Sequence, residues 1–263
     1  MVDHQFNRSV VDRAAQYLIC FAIAGAFLYG MNHWWIQPMV GTDSFFRTSF
    51  NDILALIVFV PLSYFLARVL SIIPPFSPLR LWHIGLGWIV FSLLFEWLVP
   101  KILPHHTGTG GDVAAYGSGG IILWVFNRMA LDFARIREGS VRVVYYDGNC
   151  GICQAAADWS SARTVSGSAF PYHPHQLIDE TLRPDLAARA RKTLIVHFSE
   201  GFELTHARAL GALLIRMRFL WPLFGWILIT PLLWPLTRPA YSLFARYRHR
   251  VSQWAGLNAC VID

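Results

Sequence analysis

The chain has 263 residues, of which 55% are hydrophobic and 14% are charged. Soluble domains usually carry about 25% charged residues, so this composition argues against a freely soluble protein, and it excludes a disordered chain, a collagen and a coiled coil. The net charge of +6 arises mainly after residue 135. Because aromatic residues and leucines interleave the arginines there, we expect contact with anionic lipid rather than with nucleic acid.

The first half of the chain contains four apolar segments, each close to the roughly 20 residues that a helix needs to cross the hydrocarbon core. They cover residues 14–35, 53–73, 81–99 and 113–131. The alternative is a set of buried helices in a large soluble core, but too few polar residues remain between the segments to build a polar outer face. The sequence therefore predicts an α-helical membrane domain of four transmembrane helices over residues 1–138.

Basic residues near the ends of these segments set the expected orientation. Two of them, Arg47 and Lys101, lie on one side of the predicted membrane, and eight lie on the other. The eight are Arg8, Arg13, Arg68, Arg80, Arg128, Arg135, Arg137 and Arg142. This asymmetry places the N terminus and the second half of the chain in the cytoplasm, at the cell inner membrane of a bacterium. A cleaved signal peptide is the alternative for the first segment, but its apolar run is long for one.

The third segment contains Glu96, and an acidic residue within a membrane helix is a functional-site hypothesis by default. The alternative is that Glu96 reaches the hydrated headgroup region, since Pro100 follows closely. Together with Gly111-Asp112 and Ala115-Tyr116, this region loosely resembles the VanZ-like group of small bacterial membrane proteins, and we derive no function from that. The adjacent His105-His106 pair could bind a metal, but it is more typical of a solvated loop.

A strand and a cysteine motif open the second half. Residues 141–146 are rich in β-branched and aromatic side chains and stop at Asp147-Gly148, as a buried strand would. A helical pattern begins around Cys153, which puts Cys150 at or beside the helix N-cap. Unpaired N–H groups and the helix dipole stabilise a thiolate there. We expect Cys150 to attack a disulfide and Cys153 to resolve the mixed disulfide.

The remaining pattern predicts a small α/β unit of order βαβαββα, which is that of a thioredoxin-like domain. Its further elements are a strand at 169–173, a helix at 177–191, strands at 193–198 and 202–205, and a helix at 207–218. Three prolines interrupt the apolar residues of 219–236, so broken helices in the membrane interface are expected there. The domains are thus 139–218, thioredoxin-like, and 219–263, a hydrophobic helical extension with a basic tail.

Two short patterns resemble a known family. Residues 146–153 are similar to the Tyr-Asp-Gly-x-Cys-x-x-Cys signature of the DCC family of predicted thiol-disulfide oxidoreductases. The tail from Tyr241 through Ala245, Arg246 and Arg248 to Arg250 resembles the pattern that closes such domains. The resemblance covers about residues 141–255 and implies a thioredoxin-like fold. It also implies a redox role for Cys150 and Cys153, with Asp147 as a motif residue that braces the turn.

Metal binding by the cysteines is an alternative, because a CxxC can hold zinc or copper with further ligands such as His173, His175 or His197. No second CxxC exists in the sequence, so we expect no cofactor beyond the cysteine pair. Cys20 in the first segment is expected to be a packing residue, and Cys260 a tail cysteine without a role.

The resulting hypothesis is a membrane-anchored thiol-disulfide oxidoreductase that acts on a membrane-associated partner, either a thiol or disulfide protein or a small thiol. Cytosolic thiol pools favour the dithiol, so reduction of a partner disulfide is the expected direction.

Thioredoxins carry a cis-proline before the strand opposite the motif, whereas this sequence has Lys192-Thr193 at that place. Peptide docking in the usual thioredoxin way is therefore not expected. The rival hypothesis is a non-catalytic membrane protein whose thioredoxin-like module binds a partner or a metal ion.

Overall fold

The computed structural model describes residues 2–41, 44–74, 76–102, 110–165 and 170–257. The chain divides into two compact units, Met1–Ala134 and Arg135–Asp263.

The first unit is helical. Its α-helices are α1 (Val2–Met31), α2 (Phe45–Thr48), α3 (Phe50–Val69), α4 (Leu81–Phe91), α5 (Val99–Ile102) and α6 (Gly110–Glu138), the last of which runs on beyond the unit. Two π-helical segments extend the long helices: Asn32–Ile36 follows α1, and Ser92–Leu98 joins α4 to α5. A 3-10 turn, Gln37–Met39, completes the end of α1.

Packing in the first unit is close where α3 meets α6. Leu56 and Leu123 are fully buried there, and Gly119 lies against the carbonyl group of Ile53, whose oxygen a Cβ at Gly119 would overlap. A small residue at such a crossing lets two helix backbones approach closely, as in membrane helix pairs. Many large apolar side chains remain exposed on the outside, among them Phe27 at 65%, which suits a lipid-facing surface.

Among the residues of this unit that the structure describes, three helical stretches are long and apolar enough to cross a membrane: Gln5–Met39, Phe45–Val69 and Leu81–Ile102. They confirm that three of the four predicted segments form long apolar helices. The fourth, 113–131, is helical within α6 but is not among the three, because several glycines and the polar pair Asn127-Arg128 dilute its apolar residues. A fourth span stays a prediction.

The second unit combines a small mixed sheet with helices. Its elements are β1 (Val141–Tyr146), α7 (Gly151–Ser161), β2 (Tyr172–Pro174), α8 (Pro184–Ala190), β3 (Ile195–Phe198), β4 (Glu203–Thr205), α9 (His206–Leu214), α10 (Trp221–Ile229) and α11 (Trp234–Trp254). The strand order is β2-β1-β3-β4. β1 and β2 are parallel and joined through α7, whereas β3 pairs antiparallel with both β1 and β4.

Helices pack on this sheet and on each other. Val144, Ile195 and Val196 in the central strands are fully buried. α9 and α10 approach closely at Gly211 and Gly225, where a Cβ on the first glycine would lie 2.9 Å from the carbonyl oxygen of the second. α11 contacts both α7 and α9, so the C-terminal helix belongs to the same packed unit as the sheet.

Two predicted helices are shorter than expected. The helix predicted at 177–191 begins only at Pro184, because the Asp179 carboxylate accepts hydrogen bonds from the backbone and hydroxyl of Thr181, at 2.9 and 2.6 Å. Such local side-chain bonds compete with helix formation, and proline is favoured in a first helical turn. The helix predicted at 207–218 ends at Leu214, since the chain then forms a bridge between Thr164 and Met217.

The apolar segment 219–236 is broken into α10, a 3-10 turn (Pro231–Leu233) and the start of α11, as predicted. Pro222 and Pro235 lie in the first turns of α10 and α11, where a missing N–H removes no helical hydrogen bond. The prolines therefore start helices as well as separating them, and α11 then continues without interruption to Trp254.

Candidate active site

The turn after β1 delivers the cysteine motif to the start of α7. Asn149 N–H donates to the Asp147 carboxylate at 3.1 Å, and Cys150 N–H donates to the Asp147 carbonyl oxygen at 3.3 Å. Cys150 is the N-cap of α7 with extended backbone, φ −114° and ψ 110°. The N–H groups of Cys153 and Gln154 donate to its carbonyl oxygen at 2.9 and 3.0 Å, which confirms the predicted N-cap.

The two cysteines are joined by a disulfide, with a Cα–Cα distance of 5.2 Å. They differ in accessibility, because Cys150 is 0% exposed whereas Cys153 is partly exposed. In this oxidised form Cys153 is thus the more accessible of the two sulfurs, and the expected roles of Cys150 and Cys153 stay predictions.

A turn at the end of α11 lies against the first residues of α7, next to Cys150. The Ser252 hydroxyl accepts from Ile152 N–H at 3.1 Å and donates to the Leu257 carbonyl oxygen at 2.8 Å. That carbonyl lies directly against Gly151, where a Cβ would overlap it. We call residues 253–257 the C-terminal turn. Glycine between the cysteines is thus the residue that permits this turn to close over the helix N-terminus.

Asp147 links the motif to α11. Asp147 is 6% exposed, and its carboxylate is paired with the Arg248 guanidinium. The same guanidinium donates to the Arg191 carbonyl oxygen at 3.0 Å, in the loop before β3. Gln176 donates to the same carboxylate at 2.8 Å, and the His249 imidazole lies 3.2 Å from it. The buried carboxylate therefore joins three distant parts of the chain.

The charge state of Asp147 follows from this network. Burial by itself raises the pKa of the carboxyl, but cationic Arg248, the Gln176 amide, the Asn149 N–H and His175 stabilise the carboxylate and together hold its pKa below the usual value. Asp147 is therefore ionised at neutral pH. The buried anion and the buried Arg248 cation compensate each other beside the disulfide.

An apolar cavity of about 280 Å³ adjoins the motif. It is lined largely by aromatic and aliphatic side chains from α7, α9 and α11, with the Asp147–Arg248 pair in its wall. Cys153 lines this cavity, and Cys150 is not among the lining residues that the structure describes. The cavity thus adjoins only the more exposed of the two cysteines.

The other residues singled out in the sequence lie elsewhere. Glu96 lies on the π-helical segment of the first unit and accepts a hydrogen bond from the Tyr116 hydroxyl at 3.0 Å. Cys20 is exposed on α1, so the expectation of a buried packing residue is wrong. The His105-His106 pair and Cys260 fall outside the described residues.

The histidines proposed as metal ligands have partners within the protein. His173 and His197 each meet the edge of the Tyr145 ring, with centroids 5.6 and 5.5 Å apart, and His175 lies 3.5 Å from Asp147. Within the part of the chain that the structure covers, no group of three or more His, Cys, Asp or Glu residues could hold a metal ion.

Two residues of the site, Ser252 and Gln176, are not predicted from the sequence. They carry no local signal, since each acts on a partner 28 or more positions away. Arg248 was part of the tail resemblance, but only the structure shows that its partner is Asp147, 101 positions earlier.

Part of the second unit matches a known family. The model of the DCC1-like thiol-disulfide oxidoreductases matches residues 144–254, from within β1 to the last residue of α11. No curated protein and no solved structure matches the chain, and the VanZ-like resemblance of the first unit stays a prediction. Residues 144–254 are therefore a DCC1-like thiol-disulfide oxidoreductase domain, in agreement with the resemblance that the motif and tail indicate.

Proposed function

We propose that the protein is a membrane-anchored thiol-disulfide oxidoreductase that exchanges a dithiol and a disulfide with a membrane-associated partner through Cys150 and Cys153. The observation that carries the proposal is a disulfide at the N-terminus of α7, within a DCC1-like domain, next to an apolar cavity. In each cycle two electrons and two protons pass between the cysteine pair and the partner. The cellular thiol pool favours the dithiol form, so the partner disulfide is reduced.

The sheet supports a thioredoxin-like fold for residues 139–218. The parallel β1-α7-β2 unit is followed by the antiparallel β3-β4 hairpin and α9, and the CxxC lies directly after the first strand, as in thioredoxin-like proteins. Asp147 then acts as a positioning residue that fixes the turn before Cys150. Residues 219–263 form an extension of this domain.

Membrane anchoring rests on the three long apolar helices of the first unit, with α6 proposed as a fourth span. The excess of basic residues on one side supports an N terminus and a redox domain in the cytoplasm of a bacterium, at its inner membrane. Around α10, Phe219 is 88% exposed and Leu220 is 68% exposed. Such side chains suit a helix that lies in the lipid interface. Partners are thus lipid and either a thiol or disulfide protein or a small thiol.

A second candidate is a non-catalytic role, in which the module binds a partner or a metal ion and the disulfide only stabilises the fold. The complete burial of Cys150 favours this alternative, since fully buried cysteine sulfurs are typical of structural disulfides.

The two candidates differ in a turnover experiment on the full chain in detergent, with a peptide–glutathione mixed disulfide as substrate and a dithiol as reductant. We expect the variant Cys150→Ser/Cys153→Ser to lose turnover, while Cys20→Ser, which removes an exposed thiol of α1, keeps it. Equal rates for the wild type and the double variant would reject the oxidoreductase.

A further inference from the structure

The two sulfurs of the motif occupy different environments. Cys150 is fully buried at the N-cap of α7, whereas Cys153, in the first turn, is partly exposed and lines the apolar cavity. A thiol or thiolate from a partner can attack only a sulfur that it can reach along the disulfide axis. The two cysteines therefore differ in accessibility to a partner, independently of any difference in the acidity of their thiols.

The C-terminal turn lies against Gly151 and Ile152, the residues that directly follow the buried Cys150. It is held by the Ser252 hydroxyl, which bridges Ile152 N–H and the Leu257 carbonyl oxygen, and by close contact of that carbonyl with Gly151. Ser252 is itself 4% exposed. Reaching Cys150 thus requires local opening at this place, whereas reaching Cys153 does not.

Resting on the proposed function, we infer that exchange takes place at Cys153, that Cys150 is the internal sulfur, and that the cavity beside Cys153 receives an apolar side chain next to the partner's cysteine. This order is the reverse of the one that the motif predicts, in which Cys150 attacks and Cys153 resolves.

Reduction of the partner disulfide takes place in two thiol–disulfide exchange steps, after which the cysteine pair is reduced again. The Cys153 thiolate attacks one partner sulfur, an S–S bond forms between them, and the other partner sulfur leaves as a thiolate that takes up a proton. Cys150, as a thiolate, then attacks the Cys153 sulfur and expels the first partner sulfur, so the Cys150–Cys153 disulfide forms. A dithiol of the cellular pool reduces that disulfide again, and its thiolate attacks at Cys153.

The N-cap position suits Cys150 for the internal role. When an incoming thiolate attacks Cys153, Cys150 departs with the electron pair, and a leaving sulfur of low pKa departs faster. The N–H groups and dipole at the start of α7 stabilise negative charge at that place. The same N–H groups and dipole favour the thiolate of Cys150 as the nucleophile of the reverse step.

The cavity indicates the chemical class of the partner. Its volume of about 280 Å³ lies at the lower limit of small-molecule sites, so it suits one aromatic or branched aliphatic side chain. Trp159, Tyr172 and Phe244 supply aromatic faces and edges in its wall. The charges of Asp147 and Arg248 are already paired with each other, so they leave no unmatched charge to attract an ionic group.

The test uses the full chain in detergent with peptide–glutathione mixed disulfides in which the residue before cysteine is either Phe or Ser. Mass spectrometry of the intact protein measures the covalent adducts that form on the reduced variants Cys150→Ser and Cys153→Ser. We expect Cys150→Ser to accumulate an adduct on Cys153, and Cys153→Ser to react at least about tenfold more slowly, because Cys150 must first be uncovered. An adduct that forms faster on Cys150 would overturn the assigned order.

The cavity is tested by comparing the two peptides. Burial of a Phe side chain should make the Phe peptide react about tenfold faster than the Ser peptide. Ala156→Leu, which fills the exposed edge of the cavity, should abolish this preference, and Ala155→Leu, on the same helix but outside the lining, should keep it. Equal rates for both peptides, or equal effects of both variants, would overturn the assigned cavity.

These outcomes are distinct from failure of the proposed function. If neither single variant forms an adduct and the double variant turns over like the wild type, the oxidoreductase itself is rejected. If adducts form only on Cys150, the oxidoreductase stands and the order inferred here is rejected.

Discussion

The buried pair of Asp147 and Arg248 provides the sharpest test of how the C-terminal helix supports the cysteine motif. Arg248→Met keeps most of the side-chain volume and removes the cation. A buried ion pair that loses one partner usually costs about 3–5 kcal/mol. Gln176 and the Asn149 N–H still donate to the carboxylate, so we expect the lower end, about 3 kcal/mol in the free energy of unfolding of the second unit.

The pH dependence of this loss has a defined sign. In the wild type the pKa of Asp147 lies below its usual value, so the pairing stabilises the fold above the unfolded-state pKa, about 4, and is lost as the pH falls through the folded-state pKa. Without Arg248, burial becomes the dominant influence and raises the pKa of Asp147. The deficit of Arg248→Met should therefore be largest at pH 7 and shrink as the pH falls and the carboxyl takes up a proton.

Hydrogen–deuterium exchange of peptides from β3 measures this free energy within the second unit, once corrected for the intrinsic exchange rate at each pH. A loss of about 3 kcal/mol raises the opening constant by about two orders of magnitude. Arg250→Met on the same helix is the matched control, since Arg250 is exposed and its guanidinium lies over the Tyr247 ring. Adding Asp147→Asn to Arg248→Met should recover most of the loss.

A difference of less than about 0.5 kcal/mol between Arg248→Met and Arg250→Met at pH 7, within the usual range for surface substitutions, would contradict a stabilising role of the ion pair. A deficit of Arg248→Met that grows as the pH falls would contradict it equally. Either result would mean that the carboxylate is well solvated and that α11 is held by other contacts.

Three further predictions concern other parts of the chain. Gly151→Ala should displace the C-terminal turn. The rate at which an alkylating reagent modifies Cys150 in the reduced protein, measured by peptide mass, should then rise by about tenfold. An unchanged rate would show that the turn does not cover this sulfur. Gly119→Ala should lower the melting temperature in detergent, because its Cβ meets the backbone of α3, whereas Gly85→Ala, which meets open space, should not. In intact cells under reducing conditions, a membrane-impermeant maleimide should label Cys153 only after permeabilisation, and labelling before it would invert the proposed orientation.

Sequence pattern predicts those parts of the site that depend on local chemistry. The run of β-branched and aromatic residues that stops at Asp147-Gly148 locates the end of β1, and the following helical pattern places Cys150 at or beside the N-cap, where the structure has it. The error at 177–183 is also local, since the Asp179 side chain binds the next turn of backbone and delays the helix to Pro184. What the pattern does not contain is any pairing between residues that are distant in the chain.

The long-range part of the site explains why the reactivity of the cysteines is not readable from their motif. Helix position and spacing favour Cys150 as the more acidic thiol, and from these alone it becomes the nucleophile. Its surroundings, however, include Ser252, 100 positions later, and the C-terminal turn, which lie against the first residues of α7. Within the eight-residue motif, Gly151 leaves room for that turn, but the motif does not show that a turn lies there.

Acidity and accessibility are separate requirements, and the order that we infer assigns them to different sulfurs. An acidic thiol that is exposed is also the one most readily oxidised beyond the disulfide. In the inferred order, the buried Cys150 reacts with Cys153 alone, which lies in the first turn of α7, where the N–H groups of Cys153 and Gln154 donate to the Cys150 carbonyl oxygen. Solvent oxidants would then meet Cys153 first, since it is the more exposed sulfur. The Asp147–Arg248 pair links α11 to the motif, so under this proposal its loss should affect the redox selectivity as well as the stability.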